Sequence, residues 1–132
     1  MSFQRECAAF WTPNHGCISL TTGTAGAVAF DFLTIWPLWR LEPQTIAVMV
    51  HTHPPGCICL SSTDRNMVYG WCLALRAPIL FVVVCEEAVT EYWCVIREGR
   101  FILRDLGLAG HCSFPIEPLI ARLRELSAEA NP

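Results

Sequence analysis

The stretch IAVMVHTHPPGCICLSSTDRNMVYGWCLAL, residues 46–75, decides the fold. Ile46 to Val50 is a continuous apolar run leading into His51, the pattern of a central strand buried on both faces. Pro54-Pro55-Gly56 must break that strand into a loop. Ser61-Ser62-Thr63-Asp64 then reads as a helix start, with Ser61 as cap and Asp64 three positions on. The helix carries Met67, Val68, Trp71, Cys72 and Leu75 on one face, at the spacing that buries a stripe against a sheet.

Working outward, Glu6 to Trp11 reads as a short strand, Pro13-Asn14-His15-Gly16 as a turn, and Cys17 to Thr22 and Ala25 to Phe32 as further strands. Phe32 to Arg40 is ambiguous, because Pro37 interrupts any helix there. Beyond the central helix, Ile79 to Cys85, Tyr92 to Ile96 and Phe101 to Arg104 read as strands, the last two joined at Gly99 as a hairpin. Ser113 and Pro115 open a final helix with Ile116, Leu119, Ile120, Leu123 and Leu126 on one stripe. This order predicts an α+β fold: one central mixed sheet flanked by helices, in a single domain over residues 1–132.

Composition narrows the function classes. A chain that is 53% hydrophobic and 16% charged is no disordered or solvating segment. Its net charge is -3 and its basic residues form no block, so nucleic acid is not an expected partner. The longest apolar run, Pro78 to Cys85, is strand-sized and ends at Glu86, so no membrane span is expected. The first residues lack the apolar stretch of a signal peptide, which makes the cytoplasm the expected compartment. The eight cysteines are then read as reduced, with Cys7, Cys17, Cys72, Cys85 and Cys94 set among apolar residues.

Chemistry concentrates in the opening stretch. Side chains alternate along a strand, so His51 and His53 share a face at the strand end and can chelate one metal. Asp64 lies in the first turn of the next helix, on the side of Val68 and Trp71, and so points inward. Two histidines and one aspartate leave a fourth position for water, the arrangement of catalytic rather than structural zinc. Taken singly, each piece has an ordinary explanation: a capping box, an incidental His-x-His pair, loop punctuation. Cys57 and Cys59 offer an alternative, a closed Cys2His2 site with the two histidines, although a loop cysteine pair lining the site is favoured. His15 reads as solvated, His111 as a surface residue or a neighbour of the site, and Glu86, Glu87 and Glu91 as a solvated acidic loop.

The same residues resemble the motif of the JAMM/MPN zinc metalloproteases: a distal Glu, then His-x-His-Pro, a short loop, and Ser-x-x-Asp. His51, His53, Pro54, Ser61 and Asp64 match, with Thr52 where the family usually has Ser. The distal Glu corresponds to Glu6, in the context Glu6-Cys7-Ala8-Ala9. The resemblance implies an MPN/cytidine-deaminase-like domain of minimal prokaryotic type. It implies one Zn2+ held by His51, His53 and Asp64, with Glu6 as proton shuttle and Ser61 as donor to the oxyanion. It also implies an isopeptidase or peptidase that cleaves after the C-terminal tail of a ubiquitin-like protein, with activating or conjugating enzymes as possible further partners. Many family members carry a helix before the distal Glu, for which this sequence leaves no room. The Phe32 to Arg40 segment, or another subunit as in a homodimer, would then cover that sheet face. Two rival classes remain: a non-catalytic MPN scaffold, which typically loses zinc ligands, and a small structural-zinc interaction protein using Cys57 and Cys59.

Overall fold

The computed structural model describes residues 5–24, 28–54, 59–86, 88–109 and 112–129. Nine elements follow in chain order: β1 (Cys7–Thr12), β2 (Gly16–Thr22), α1 (Phe32–Leu41), β3 (Ala47–Thr52), α2 (Ser62–Leu75), β4 (Ile79–Val84), β5 (Val89–Arg97), β6 (Arg100–Ala109) and α3 (Glu117–Ala128). The strands form one six-stranded sheet in the order β2-β1-β3-β4-β5-β6. Only β3 and β4 run parallel, and α2 is the crossover between them. The expected α+β architecture is therefore the observed one.

Alternation along the strands builds two cores. Ala8, Phe10, Ala47, Met49, Phe81 and Val83 face α1 and α2. Cys7, Ala9, Val48, Val50, Leu80 and Val82 face α3. All six residues of β3 and of β4 are buried, as continuous apolar runs in central parallel strands require. No described helix is long and apolar enough to cross a membrane.

Several elements depart from expectation. Residues 28–31 form no strand, and 25–27 lie outside the described residues. Thr21 Oγ1 donates to the Ala29 carbonyl at 2.6 Å, and Asp31 caps α1 by accepting from the Thr34 amide (3.2 Å) and hydroxyl (2.7 Å). The segment from Phe32 is a helix in spite of Pro37. An interior proline costs about 3 kcal/mol. Burying Ile35 (0% exposed) and Trp39 (3%) returns roughly 2–3 kcal/mol each, so burial wins. Leu33, whose carbonyl loses its intrahelical donor to the proline ring, is 84% exposed, where water can satisfy it. This helix packs on the same sheet face as α2, with Trp39 Nε1 donating to the Leu75 carbonyl of α2.

The β5–β6 hairpin forms as read and is longer than expected at both ends. Glu98 (φ 51°) and Gly99 (φ 77°) both take positive φ, the requirement of a two-residue turn that matches strand twist. The last helix begins at Glu117 with Pro118 in its first turn, later than Ser113 and Pro115 suggested.

Candidate metal centre

Sheet register brings the site together. Ala8 of β1 pairs with His51 of β3. Continued outward, the same register sets Cys7 against Thr52 and Glu6 against His53. Alternation then sends Glu6, His51 and His53 to the α2 face, and Cys7 and Thr52 to the α3 face. Helix α2 starts above that strand end. Its capping box is complete: Ser61 Oγ accepts from the Asp64 amide at 3.1 Å, and Asp64 Oδ2 accepts from the Ser61 amide at 3.3 Å. The box faces Asp64 inward, along with Val68, Trp71, Cys72 and Leu75.

Four polar residues meet there with almost no solvent access: Glu6 (7% exposed), His51 (5%), His53 (5%) and Asp64 (7%). The two imidazoles stand perpendicular, with ring centres 4.7 Å apart. His53 Nε2 donates to Asp64 Oδ2 at 2.9 Å. Glu6 Oε1 lies 3.2 Å from His51 Nε2, and Asp64 Oδ1 lies 3.6 Å from His51 Nδ1. Neither of these makes a hydrogen bond, so both ring nitrogens of His51 are buried without a hydrogen-bond partner among the described residues. Burial by itself pushes the Asp64 carboxyl up. The His53 hydrogen bond, the charges of His51 and His53 and the Ser61 amide outweigh it and hold the group below the ordinary carboxylate value.

The arrangement fits a cation. One ligand atom each from Glu6, His51 and His53 lies within 4.8 Å of the others, so this buried group can bind a metal ion. Two carboxylates buried beside two imidazoles carry excess negative charge wherever the imidazoles are neutral, and a divalent ion would balance it. An imidazole whose nitrogens find no internal partner is also what a ligand histidine leaves when the protein is considered alone.

All of the residues singled out as ligands from the sequence therefore converge, and Glu6 joins them from just before β1. Asp64 touches both histidines, yet the three residues whose ligand atoms all lie within 4.8 Å of one another are Glu6, His51 and His53. Ser61 is exposed, and its oxygen accepts within the cap, so its O–H remains available to donate. Cys59 is exposed, whereas Cys57 and His111 lie outside the described residues. His15 is exposed in the turn after β1, as expected.

Of the three residues read as a solvated acidic loop, Glu91 is instead buried within β5, Glu86 is half-buried, and Glu87 lies outside the described residues. Glu91 is 5% exposed. Its Oε2 accepts from the Ser113 amide (2.9 Å) and the Cys112 thiol (3.3 Å), and its Oε1 accepts from the Ser113 hydroxyl (2.6 Å). The partners lie far along the chain, and no local pattern around Glu91 signals them. Searches of protein-family models, curated proteins and solved structures found no match to this chain.

Proposed function

We propose that this protein is a zinc-dependent amide hydrolase of the JAMM/MPN type, acting after the C-terminal tail of a ubiquitin-like protein. The reading rests first on His51, an imidazole with both nitrogens buried and free of hydrogen bonds between two buried carboxylates. In it, His51, His53 and Asp64 hold the metal. When bound, zinc would polarise the scissile carbonyl and activate a water near neutral pH. Glu6, at the lip of the same group, takes the proton as the water oxygen bonds to the carbonyl carbon. It then delivers that proton to the amine nitrogen as the carbon–nitrogen bond breaks. The Ser61 O–H, left free by its capping role, donates to the oxyanion. A tail that binds as an added strand, in either an isopeptide conjugate or a precursor, suits a site at a sheet end.

Metal analysis combined with turnover of a ubiquitin-like fusion tests this. One zinc per chain is expected, lost in His53→Ala and Asp64→Ala. Glu6→Gln is expected to keep zinc and lose about a hundred- to ten-thousandfold in kcat, the scale of a general acid–base contribution. The convergence of Glu6 with the two histidines supports a second ligand set. Under that reading Glu6→Gln loses zinc and Asp64→Ala keeps it, and a proton shuttle at Glu6 is then wrong. Zinc that survives both Asp64→Ala and His53→Ala but not Cys57→Ala would assign the metal to the loop cysteines.

A further inference from the structure

Behind the metal centre, on the α3 face, lies a second buried polar group that the mechanism leaves unused. Ser127, Thr52 and Cys7 are all 0% exposed. Ser127 Oγ donates to Thr52 Oγ1 at 2.9 Å. Thr52 Oγ1 accepts from the Cys7 amide at 2.7 Å and donates to the Cys7 carbonyl at 3.4 Å. A hydroxyl offers one donor and two acceptor sites, so Thr52 is used to capacity. The Ser127 carbonyl meanwhile accepts from the Arg5 amide at 3.2 Å.

These contacts bracket one residue. Arg5 and Cys7 flank Glu6, and Thr52 separates His51 from His53. The Glu6 backbone itself bonds on its other side, its amide to the Thr24 carbonyl (2.7 Å) and its carbonyl to the Gly23 amide (2.9 Å). The β1–β3 ladder has its last paired residues at Ala8 and His51, and past that point the Thr52 hydroxyl holds the two backbone segments together.

We propose that Ser127 and Thr52 form a hydroxyl clamp that sets the position of the Glu6 carboxylate against the two histidines. They are positioning residues, and the clamp makes the last turn of α3 part of the site's geometry. The proposal rests on reading Glu6 as the proton shuttle. A carboxylate that must stand beside a bound water tolerates little displacement, since a misplacement of about 1 Å can cost about a hundredfold in rate.

The test uses the full zinc-loaded chain with a ubiquitin-like domain fused to a reporter as substrate, and variants Thr52→Val, Thr52→Ser, Ser127→Ala and Glu6→Gln. Thr52→Val and Ser127→Ala are expected to keep one zinc and an unchanged KM while kcat falls about 10- to 100-fold. Thr52→Ser, which keeps the hydroxyl, restores the rate. Amide hydrogen exchange at Cys7 is expected to quicken in Thr52→Val and Ser127→Ala and to stay slow in Thr52→Ser. Wild-type kcat in folded Ser127→Ala overturns the clamp, as does a loss of zinc that accounts for the lost rate. So does failure of Thr52→Ser to restore it, which would make the methyl group the active element. Should Thr52→Val not fold, Ser127→Ala and Thr52→Ser decide the matter. If Glu6→Gln cleaves as the wild type does, or the wild type cleaves nothing, the shuttle reading fails. The exchange rates then still report whether the clamp holds Cys7.

Discussion

Two buried carboxylate groups lie on opposite faces of the sheet, and they are built differently. On the α3 face, both oxygens of Glu91 are engaged, by Cys112 and Ser113, in front of α3. On the α2 face, Glu6 and Asp64 crowd two histidines, and His51 has neither nitrogen hydrogen-bonded. A buried polar group that is fully satisfied serves the fold, because its desolvation is offset within the protein. A buried group left partly unsatisfied has room for a partner from outside, and a cluster of this kind is a candidate functional site. Burial alone does not distinguish the two, since Glu6 and Glu91 are nearly equally hidden.

Exchanging the two glutamates' fates would break this contrast most sharply. Glu91→Ala orphans the Ser113 amide and hydroxyl and should cost about 2–3 kcal/mol in denaturant unfolding. Turnover per folded molecule should stay near that of the wild type. Glu6→Ala removes one of the two carboxylates that crowd the histidines, which, wherever the imidazoles are neutral, relieves excess negative charge, so metal-free stability should hold or rise while cleavage is lost. A Glu6→Ala protein as destabilised as Glu91→Ala would show that both carboxylates serve the fold.

Metal should sharpen the contrast next. An ion that binds only the folded chain stabilises it by about 2.7 kcal/mol at a hundred times its dissociation constant. Zinc is therefore expected to raise the melting temperature of the wild type and of Glu91→Ala, and to leave Asp64→Ala unmoved. An equal rise in Asp64→Ala would place the ion elsewhere in the chain.

The two regions also differ in how far the sequence discloses them. His51, His53, Ser61 and Asp64 belong to one strand–loop–helix unit, so period-two alternation and a capping box suffice to converge them. The stripe of Val68, Trp71, Cys72 and Leu75 and the turn at Gly99 were legible for the same reason: their signals are local. Glu91 meets partners about twenty residues away, and Thr52 meets Ser127 across 75 residues. Only the assembled fold brings such pairs together, and the acidic residues around Glu91 carry no trace of them. At α1 the local signal was present but opposed: Pro37 spoke against a helix that the burial of Ile35 and Trp39 made favourable. Glu6 stands between these cases. Only the family resemblance singles it out within the strand read from Glu6 to Trp11, and the β1–β3 register supplies the physical reason.

The last comparison separates the regions along the pH scale. Asp64 is held below the ordinary carboxylate value, so its contribution is complete above that value and is lost as pH falls through its own lower one. Cys112 lies at the other end. Burial, with Glu91 and Glu117 adding to it against the Phe114 backbone, pushes its thiol up to about 12 from 9.0. Between those two values the unfolded chain ionises this thiol and the folded chain does not. Stability is therefore complete below 9.0 and drains as pH rises towards about 12, at up to about 1.4 kcal/mol per pH unit for this group. Cys72 and Cys94, also raised to about 12, add slopes of their own, so the informative quantity is a difference. Unfolding free energies of the wild type and Cys112→Ala, measured from pH 8 to 11, should converge as pH rises. Parallel curves would mean that Cys112 ionises as readily in the folded chain as in the unfolded one, and that Glu91 does not hold it as a buried donor.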